Sequence, residues 1–269
     1  MTQEERNELA ELLFPNITKT REEYEEMYPE RDLPEGAMVT RYGPSPTGSV
    51  HLGNLLSAFA DMVYAKQTKG SFFLRIEDTD QKRKIDGGIE NITSILHDFD
   101  ILPTEGYSFG GNYGPYIQSE RTEIYQTYIK DLIVKGLAYP CFMTEEEQNN
   151  IKEEQAINKT KIGIYGMYAV DRDLSLEEVK EKLANNEEYV IRLKSPGNAN
   201  NQIEVIDCIK GKMKFPEHDM DTVLLKKDGT PTYHFAHVID DHLMHTTHVI
   251  RGDEWVSSIP LHIQLFEIL

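Results

Sequence analysis

The segment Pro44-Ser45-Pro46-Thr47-Gly48-Ser49-Val50-His51-Leu52-Gly53-Asn54 concentrates residues able to do chemistry. Its prolines stiffen a turn, Gly48 and Gly53 let backbone come close to a ligand, and His51 stands where a helix would begin. A short apolar stretch, Ala37 to Tyr42, precedes it and predicts a strand. Leu52, Leu55, Leu56, Phe59 and Val63 follow at 3.6-residue spacing and predict an amphipathic helix with these as its apolar positions. Strand, tight turn and helix in that order set a helix N-terminus against a phosphate, so the segment reads as a nucleotide site. The alternative is an ordinary α/β loop rich in Gly and Pro.

Two further strand ends carry charge. Ser71 to Ile76 predicts a second strand, and Arg75-Ile76-Glu77-Asp78-Thr79-Asp80 lies at its end. Thr247 to Ile250 predicts another, followed by Arg251-Gly252-Asp253-Glu254-Trp255. Ligands of open α/β sheets bind beyond the carboxyl ends of the strands. Arg41, Glu77 and Arg251 are therefore expected to share one crevice. Guanidinium groups for carboxylates and a carboxylate for an ammonium suit a zwitterion. Any one of these residues alone would read as a surface ion pair.

These residues need a scaffold, and the rest of the chain predicts one. Ile89, Ile92, Ile95, Leu96 and Phe99 mark one helix face. Ile124, Tyr125, Tyr128, Ile129, Leu132 and Ile133 mark another, stopped by Gly136. Alternating strands and helices argue for α/β architecture with a parallel sheet. After Cys141 the texture becomes α+β. Capping boxes at Thr144/Glu147 and Ser175/Glu178 open helices, Tyr189 to Leu193 and Thr222 to Leu225 predict strands, and Asp228-Gly229 predicts a turn. Residues 1–36, with a capping-box pattern at Thr20/Glu23, predict a helical appendage on the surface. Leu261, Leu265 and Leu269 give a final helical pattern ending on an apolar residue, which suggests a fragment of a longer chain.

Composition narrows the class. The 269 residues carry 28 Lys plus Arg against 46 Asp plus Glu, a net charge of −18. Such acidity disfavours nonspecific nucleic-acid binding, although a local basic face can override net charge. Two cysteines, Cys141 and Cys208, exclude a disulfide framework and fit a reducing, cytoplasmic setting. No apolar run approaches the ~18 residues of a membrane span. The basic run Lys82-Arg83-Lys84 reads as a solvated face, with RNA contact as the alternative. His234, His237, His242, His245 and His248 read mainly as hydrogen-bonding residues rather than metal ligands, and Asp240-Asp241 as a cap or turn.

Taken in order, Arg41 to Gly48, His51-Leu52-Gly53, Arg75 to Asp80, Gln118-Ser119-Glu120-Arg121, Asp228 to Ala236, Asp240-Asp241-His242 and Arg251 to Trp255 resemble the glutamyl-tRNA synthetases, class I enzymes that join glutamate to tRNA. The resemblance runs from about 37 to 269. It implies a Rossmann-like catalytic domain in two parts, 37–141 and 231–269, interrupted by an inserted α+β domain, 142–230, that holds the tRNA acceptor end. Residues 1–36 stand as an N-terminal extension.

The resemblance also assigns roles. His51 would stabilise charge on the ATP phosphates, with Thr47, Gly53, Glu254 and Trp255 forming the rest of the ATP side. Arg41, Ser45, Glu77, Tyr233, His237 and Arg251 would contact glutamate, the arginines at its carboxylates and Glu77 at its ammonium. His237 stands where some relatives have asparagine, and Asn54 where many class I enzymes have a second histidine. The implied cofactors are ATP and Mg2+. The implied partners are glutamate and tRNA(Glu), with tRNA(Gln) left open, for a monomer away from membranes. A structural zinc is not expected, because Met143 stands where a second thiol would be needed beside Cys141.

The family's lysine-rich second signature has no counterpart within 269 residues, so this chain is expected to bind ATP and glutamate but charge tRNA poorly. Two alternatives stay open: a short paralogue that glutamylates a modified tRNA base, and a binding module without turnover. Glutaminyl relatives carry Pro-Glu-Pro where Ser45 sits here.

Overall fold

The computed structural model describes residues 1–48, 50–80, 83 and 85–269. The chain runs α1 (Gln3–Leu13), α2 (Arg21–Met27), β1 (Val39–Tyr42), α3 (Leu52–Gln67), β2 (Ser71–Leu74), α4 (Gly88–Asp98), β3 (Glu105–Gly106) and α5 (Thr122–Val134). It continues with β4 (Ala138–Cys141), α6 (Glu145–Ile157), α7 (Leu176–Ala184), β5 (Val190–Leu193), β6 (Gln202–Asp207), β7 (Gly211–Pro216), β8 (Val223–Leu225), α8 (Tyr233–Leu243) and α9 (Ile259–Ile268). Two compact units result: 22–124 with 236–257, and 1–21 with 125–235 and 258–269.

The first unit is built on a parallel sheet of order β1-β2-β3. Val39 to Tyr42 pair in register with Ser71 to Leu74, and all eight are buried. Both strands read as uninterrupted runs, as parallel strands covered on two faces do. Helices α3 and α4 are the crossovers. Their buried residues Leu55, Ala58, Ala65, Ile89, Ile92 and Leu96 pack with Phe72, Leu74 and Ile76 into one core. Each fully buried Leu, Ile or Phe there contributes about 1.5–3 kcal/mol.

Helix α3 corrects its expected face. Leu52, Leu56 and Phe59 are exposed, whereas the inward stripe is Leu55, Ala58, Asp61 and Ala65. Small side chains let the helix lie close on β1 and β2, and that proximity outweighs the size of the leucines.

Thr247 to Ile250 is not a strand. The Thr247 and His248 amides both donate to the Val39 carbonyl, and the Thr247 hydroxyl accepts the Val39 amide. That hydroxyl takes the place of a second ladder carbonyl, so the segment lies beside β1 without joining the sheet. Of the basic run, Lys82 and Lys84 fall outside the described residues, and Arg83 is exposed and paired with Asp80.

The second unit holds an antiparallel sheet, β4-β5-β8, and a separate β6-β7 hairpin. Helix α5 buries Tyr125, Tyr128, Ile129, Leu132 and Ile133, and Gly136 follows it at φ +74. The capping boxes expected at α6 and α7 form: Thr144 Oγ1 accepts from the Glu147 amide at 3.2 Å, and Ser175 Oγ accepts from the Glu178 amide at 3.3 Å. A third, Thr2 with Glu5, opens α1.

The N-terminal residues are helical, in α1 and α2, and several of their side chains are buried rather than lying on the surface. Tyr24 and Tyr28 are buried in the first unit, donating to Glu123 and to the Gly114 carbonyl. Leu9, Ala10, Phe14 and Ile17 are buried in the second unit, where Lys130 donates to the Ile17 carbonyl at 2.7 Å.

Candidate active site

The first unit gathers arginines and carboxylates into a buried network at the ends of β1 and β2. Arg75 follows β2 and is wholly buried. Its Nη1 donates to Asp241 at 2.7 Å, its Nη2 to Glu77 at 2.9 Å, and its Nε lies 3.7 Å from Asp240. Arg41, in β1, donates through Nε to both oxygens of Asp241 at 3.1 and 3.2 Å. Arg121 and Gln118 donate to Asp240 at 2.7 and 2.9 Å. Arg121 also reaches the Tyr28 hydroxyl.

Helix α8 supplies the anionic centre. His237 and Asp241 lie one turn apart on one face, and Asp240 and Asp241 are adjacent inside the helix. These aspartates are buried counter-ions, not a cap or a turn. Burial alone would push Asp241 up, but Arg41, Arg75 and His237 hold its carboxyl well below the usual range. Burial opposes the Arg41 charge, yet Asp241 turns the balance and raises the guanidinium's pKa. Glu77 is raised by burial, with Arg75 pulling it back.

Arg41 keeps donors in reserve. Its Nη1 and Nη2 have no hydrogen-bond partner among the described residues, while Nε is anchored on Asp241. A buried guanidinium held by one edge presents the other to an incoming carboxylate.

His237 is neutral. Burial lowers its pKa to about 4. Its Nδ1 lies 2.8 Å from Asp241, and Arg251 Nη2 lies 3.0 Å from its Nε2. A guanidinium only donates, so Nε2 must accept and the ring proton sits on Nδ1. The Arg251 guanidinium also lies 5.9 Å from the Trp255 ring, a cation–π contact. His237 thus links Arg251 to the carboxylate that anchors Arg41.

The turn before α3 forms a second part. His51 is exposed at the N-cap of α3. The Asn54 side chain accepts from the His51 amide at 3.1 Å, which fixes the start of the helix. Gly53 makes room for the imidazole, because a Cβ there would meet the ring at 3.2 Å. No acidic residue occupies the first turn, so the positive end of a 16-residue helix faces outward unneutralised. Ser45 is exposed and Thr47 half-buried in this turn.

The structure therefore joins Arg41, Glu77, His237 and Arg251 in one network, and places Ser45, Thr47 and His51 in the turn before α3 with Gly53 at the start of the helix. Glu254 is exposed and Trp255 half-buried in a short 3-10 turn, Asp253–Ser258. Tyr233 belongs to the other unit, where its ring meets His234 edge-on at 5.5 Å. Among the described residues no group of three His, Cys, Asp or Glu could hold a metal ion. The histidines take separate partners: His234 with His262, His242 with Glu25, and His245 with the Tyr28 carbonyl.

Sequence reasoning missed the hub. Arg75 and Asp241 carry the network, and both were legible only as members of charged runs. It also missed Gly43, where a Cβ would run into the Glu77 carboxylate. A glycine two residues after a strand arginine was the available signal.

A parallel α/β sheet with a charged cluster at its strand ends and an exposed helix N-terminus is the arrangement by which open α/β domains hold their ligands. Residues 37–269 match the family described as "tRNA synthetases class I (E and Q), catalytic domain", and the chain belongs to that family. It is 52% identical to the glutamate–tRNA ligase of Clostridium beijerinckii over 97% of this chain and 48% of the relative. It is 50% identical to that of Sorangium cellulosum, over 92% of this chain and 46% of the relative. A crystal structure of a glutamate tRNA ligase from Elizabethkingia meningosepticum, in complex with its amino acid, superposes with a TM-score of 0.77 at 41% identity. That match covers 86% of this chain and 46% of the other. The chain thus spans about half the length of the curated relatives it matches. No helix among the described residues is long and apolar enough to cross a membrane.

Proposed function

We propose that this protein activates glutamate with ATP and transfers it to tRNA, as a glutamate–tRNA ligase. The observation that carries the reading is the Arg41 guanidinium, buried and anchored at Nε with both Nη groups unpartnered. Arg41 would take one glutamate carboxylate and Arg251, oriented by His237, the other. Glu77 would take the ammonium, with Ser45 completing the contacts. The relatives' names and the amino-acid complex of the Elizabethkingia ligase support the same substrate.

ATP would sit over the turn. The outward N-terminus of α3 and the exposed His51 offer positive ends to its phosphates, Gly53 permits close approach, and Thr47, Glu254 and Trp255 form the remaining wall. The glutamate α-carboxylate attacks the α-phosphorus in line, forming the mixed anhydride and releasing pyrophosphate. No side-chain nucleophile is required; positioning and charge stabilisation supply the acceleration. Magnesium would arrive with the ATP phosphates and neutralise their charge. The segment 142–230 is the proposed holder of the tRNA acceptor end. The terminal ribose hydroxyl would then accept the glutamyl group from the adenylate, with AMP leaving.

The test is pyrophosphate exchange with glutamate, ATP and cognate tRNA. Exchange that is specific for glutamate and lost in Arg41→Ala supports the reading. Exchange with another amino acid, or glutamate exchange indifferent to Arg41, overturns it. Assayed as these 269 residues alone, tRNA charging is expected to be slow or absent, because none of them supplies the family's second lysine signature.

A further inference from the structure

Asp61 is a carboxylate where none is expected. It lies on the inward stripe of α3, between Ala58 and Ala65, and is 1% exposed. Its Oδ1 is buried with no hydrogen-bond partner. Its backbone carbonyl accepts from the Thr40 hydroxyl at 2.7 Å, which pins this turn of α3 against β1 next to Arg41. The groups that act on it are Arg41 and Tyr42 of β1 and Asp241 of α8, the last carrying Arg75 and His237.

The charges around Asp61 decide its state. Arg41, the cation that acts on Asp61, is already paired with Asp241, and Asp61 has no ion pair of its own among the described residues. His237 is neutral. An ionised Asp61 would be a further buried anion with neither an ion pair nor a hydrogen bond at Oδ1. Burial pushes it up to about 8; Arg41 opposes that rise and Asp241 adds to it. Tyr42, pushed up to about 12 by burial with Asp61 adding to it, stays neutral and offers no relief.

We propose that Asp61 is a positioning residue of the amino-acid site, a carboxyl that must carry its proton for Arg41 to accept an anionic amino acid. This rests on the reading of Arg41 as a carboxylate receptor. Protonated, Asp61 leaves the open Nη edge of Arg41, whose Nε is held by Asp241, to the incoming carboxylate. Ionised, it competes for the Arg41 charge from inside the fold. Binding of the ligand anion then raises the proton affinity of Asp61, and by linkage glutamate binding takes up a proton wherever Asp61 is partly ionised.

The test is calorimetric titration of the 269-residue chain with glutamate from pH 6.5 to pH 9, in buffers of different ionisation heat, beside Asp61→Asn. Expected is net proton uptake on binding near pH 8, with affinity falling about tenfold across the range for one unit of coupling. The Asn variant should bind with little pH dependence and no proton uptake. Glutamate binding without proton uptake, or uptake that persists in the variant, overturns the proposal and leaves the substrate reading intact. Absence of glutamate binding at every pH in both proteins overturns the substrate reading and the proposal with it. Should Asp61→Asn fail to fold, the carboxyl carbons of 13C-labelled aspartates in the native chain give the answer. An aspartate titrating near pH 8 whose midpoint rises on adding glutamate supports the proposal. None doing so overturns it.

Discussion

Two buried aspartates, one in each unit, show how similar parts serve different ends. Asp221, in the antiparallel unit, accepts from Arg172 at 2.9 and 3.1 Å, from the Tyr139 hydroxyl at 2.9 Å and from the Ser195 amide at 2.9 Å. The second terminal nitrogen of Arg172 is spent on the Ser195 carbonyl. The cluster ties β4, the segment after β5 and the loop before β8 together. Asp241 binds Arg41, Arg75 and His237, yet Arg41 leaves two donors unspent. Electrostatics follow the number of arginines on each carboxylate, two on Asp241 and one on Asp221. Asp241 is held well below the usual carboxylate range, whereas burial leaves Asp221 raised despite Ser195, Tyr139 and Arg172. A closed cluster stabilises, whereas an open one stabilises and also receives.

The largest expected contrast is in stability. Asp241→Asn should cost about 3–5 kcal/mol, because it strips the counter-charge from two buried arginines. Asp221→Asn should cost about 1–2 kcal/mol, since one partly exposed arginine is affected and two hydrogen bonds can persist. Denaturant melts of both variants decide this, and equal losses would erase the distinction. The sign against pH also differs. The depressed Asp241 contributes stability that is present above its unfolded pKa and lost as acid approaches its folded one. The raised Asp221 contributes stability that is lost as pH rises through its folded value.

Activity gives the next contrast. Arg41→Ala should lower kcat/KM for glutamate in pyrophosphate exchange by about 10²–10³-fold, or ~3–4 kcal/mol. Arg172→Ala should leave exchange per folded molecule unchanged while lowering Tm. Loss of exchange in both would mean that the closed cluster also serves the chemistry.

The smallest effect concerns Asp61. Its folded pKa of about 8 lies above the unfolded carboxyl value, so native stability should decline as pH rises from about 4 to 8 and then level off. Asp61→Asn should flatten that decline and gain about 1–3 kcal/mol at pH 8.5, read from thermal melts. An unchanged slope would mean that Asp61 is ionised and solvated in the native protein.

Legibility in the sequence followed the size and pattern of side chains. Helix α5 was readable because Tyr125, Tyr128, Ile129 and Leu132 are large, periodic and buried. Strands β1 and β2 were readable as short apolar runs next to charged residues. The β6-β7 hairpin was not. Ile203, Val205, Met213 and Phe215 share its half-buried face, but its Asp207-Cys208-Ile209-Lys210 tip lacks a usual hairpin dipeptide. Helix α3 misled because its exposed leucines look like core while Ala58 and Asp61 are the core. Within the site, Arg41, Glu77, His237 and Arg251 could be named from chain order and resemblance. That Asp241 connects them could not, since a charged residue inside a helix is ordinarily assigned to solvent.

The adjacency of Asp240 and Asp241 on α8 has a consequence for how such a chain can drift or be redesigned. Asp240 answers to Arg121 and Gln118, Asp241 to Arg41 and His237, and Arg75 lies within reach of both. No single substitution at either position leaves all these partners matched, so every one-step path off this helix passes through a buried orphan charge. Libraries aimed at a new amino acid would therefore gain most by varying residues on the open side of Arg41, with α8 held constant as the fixed die against which they are cast.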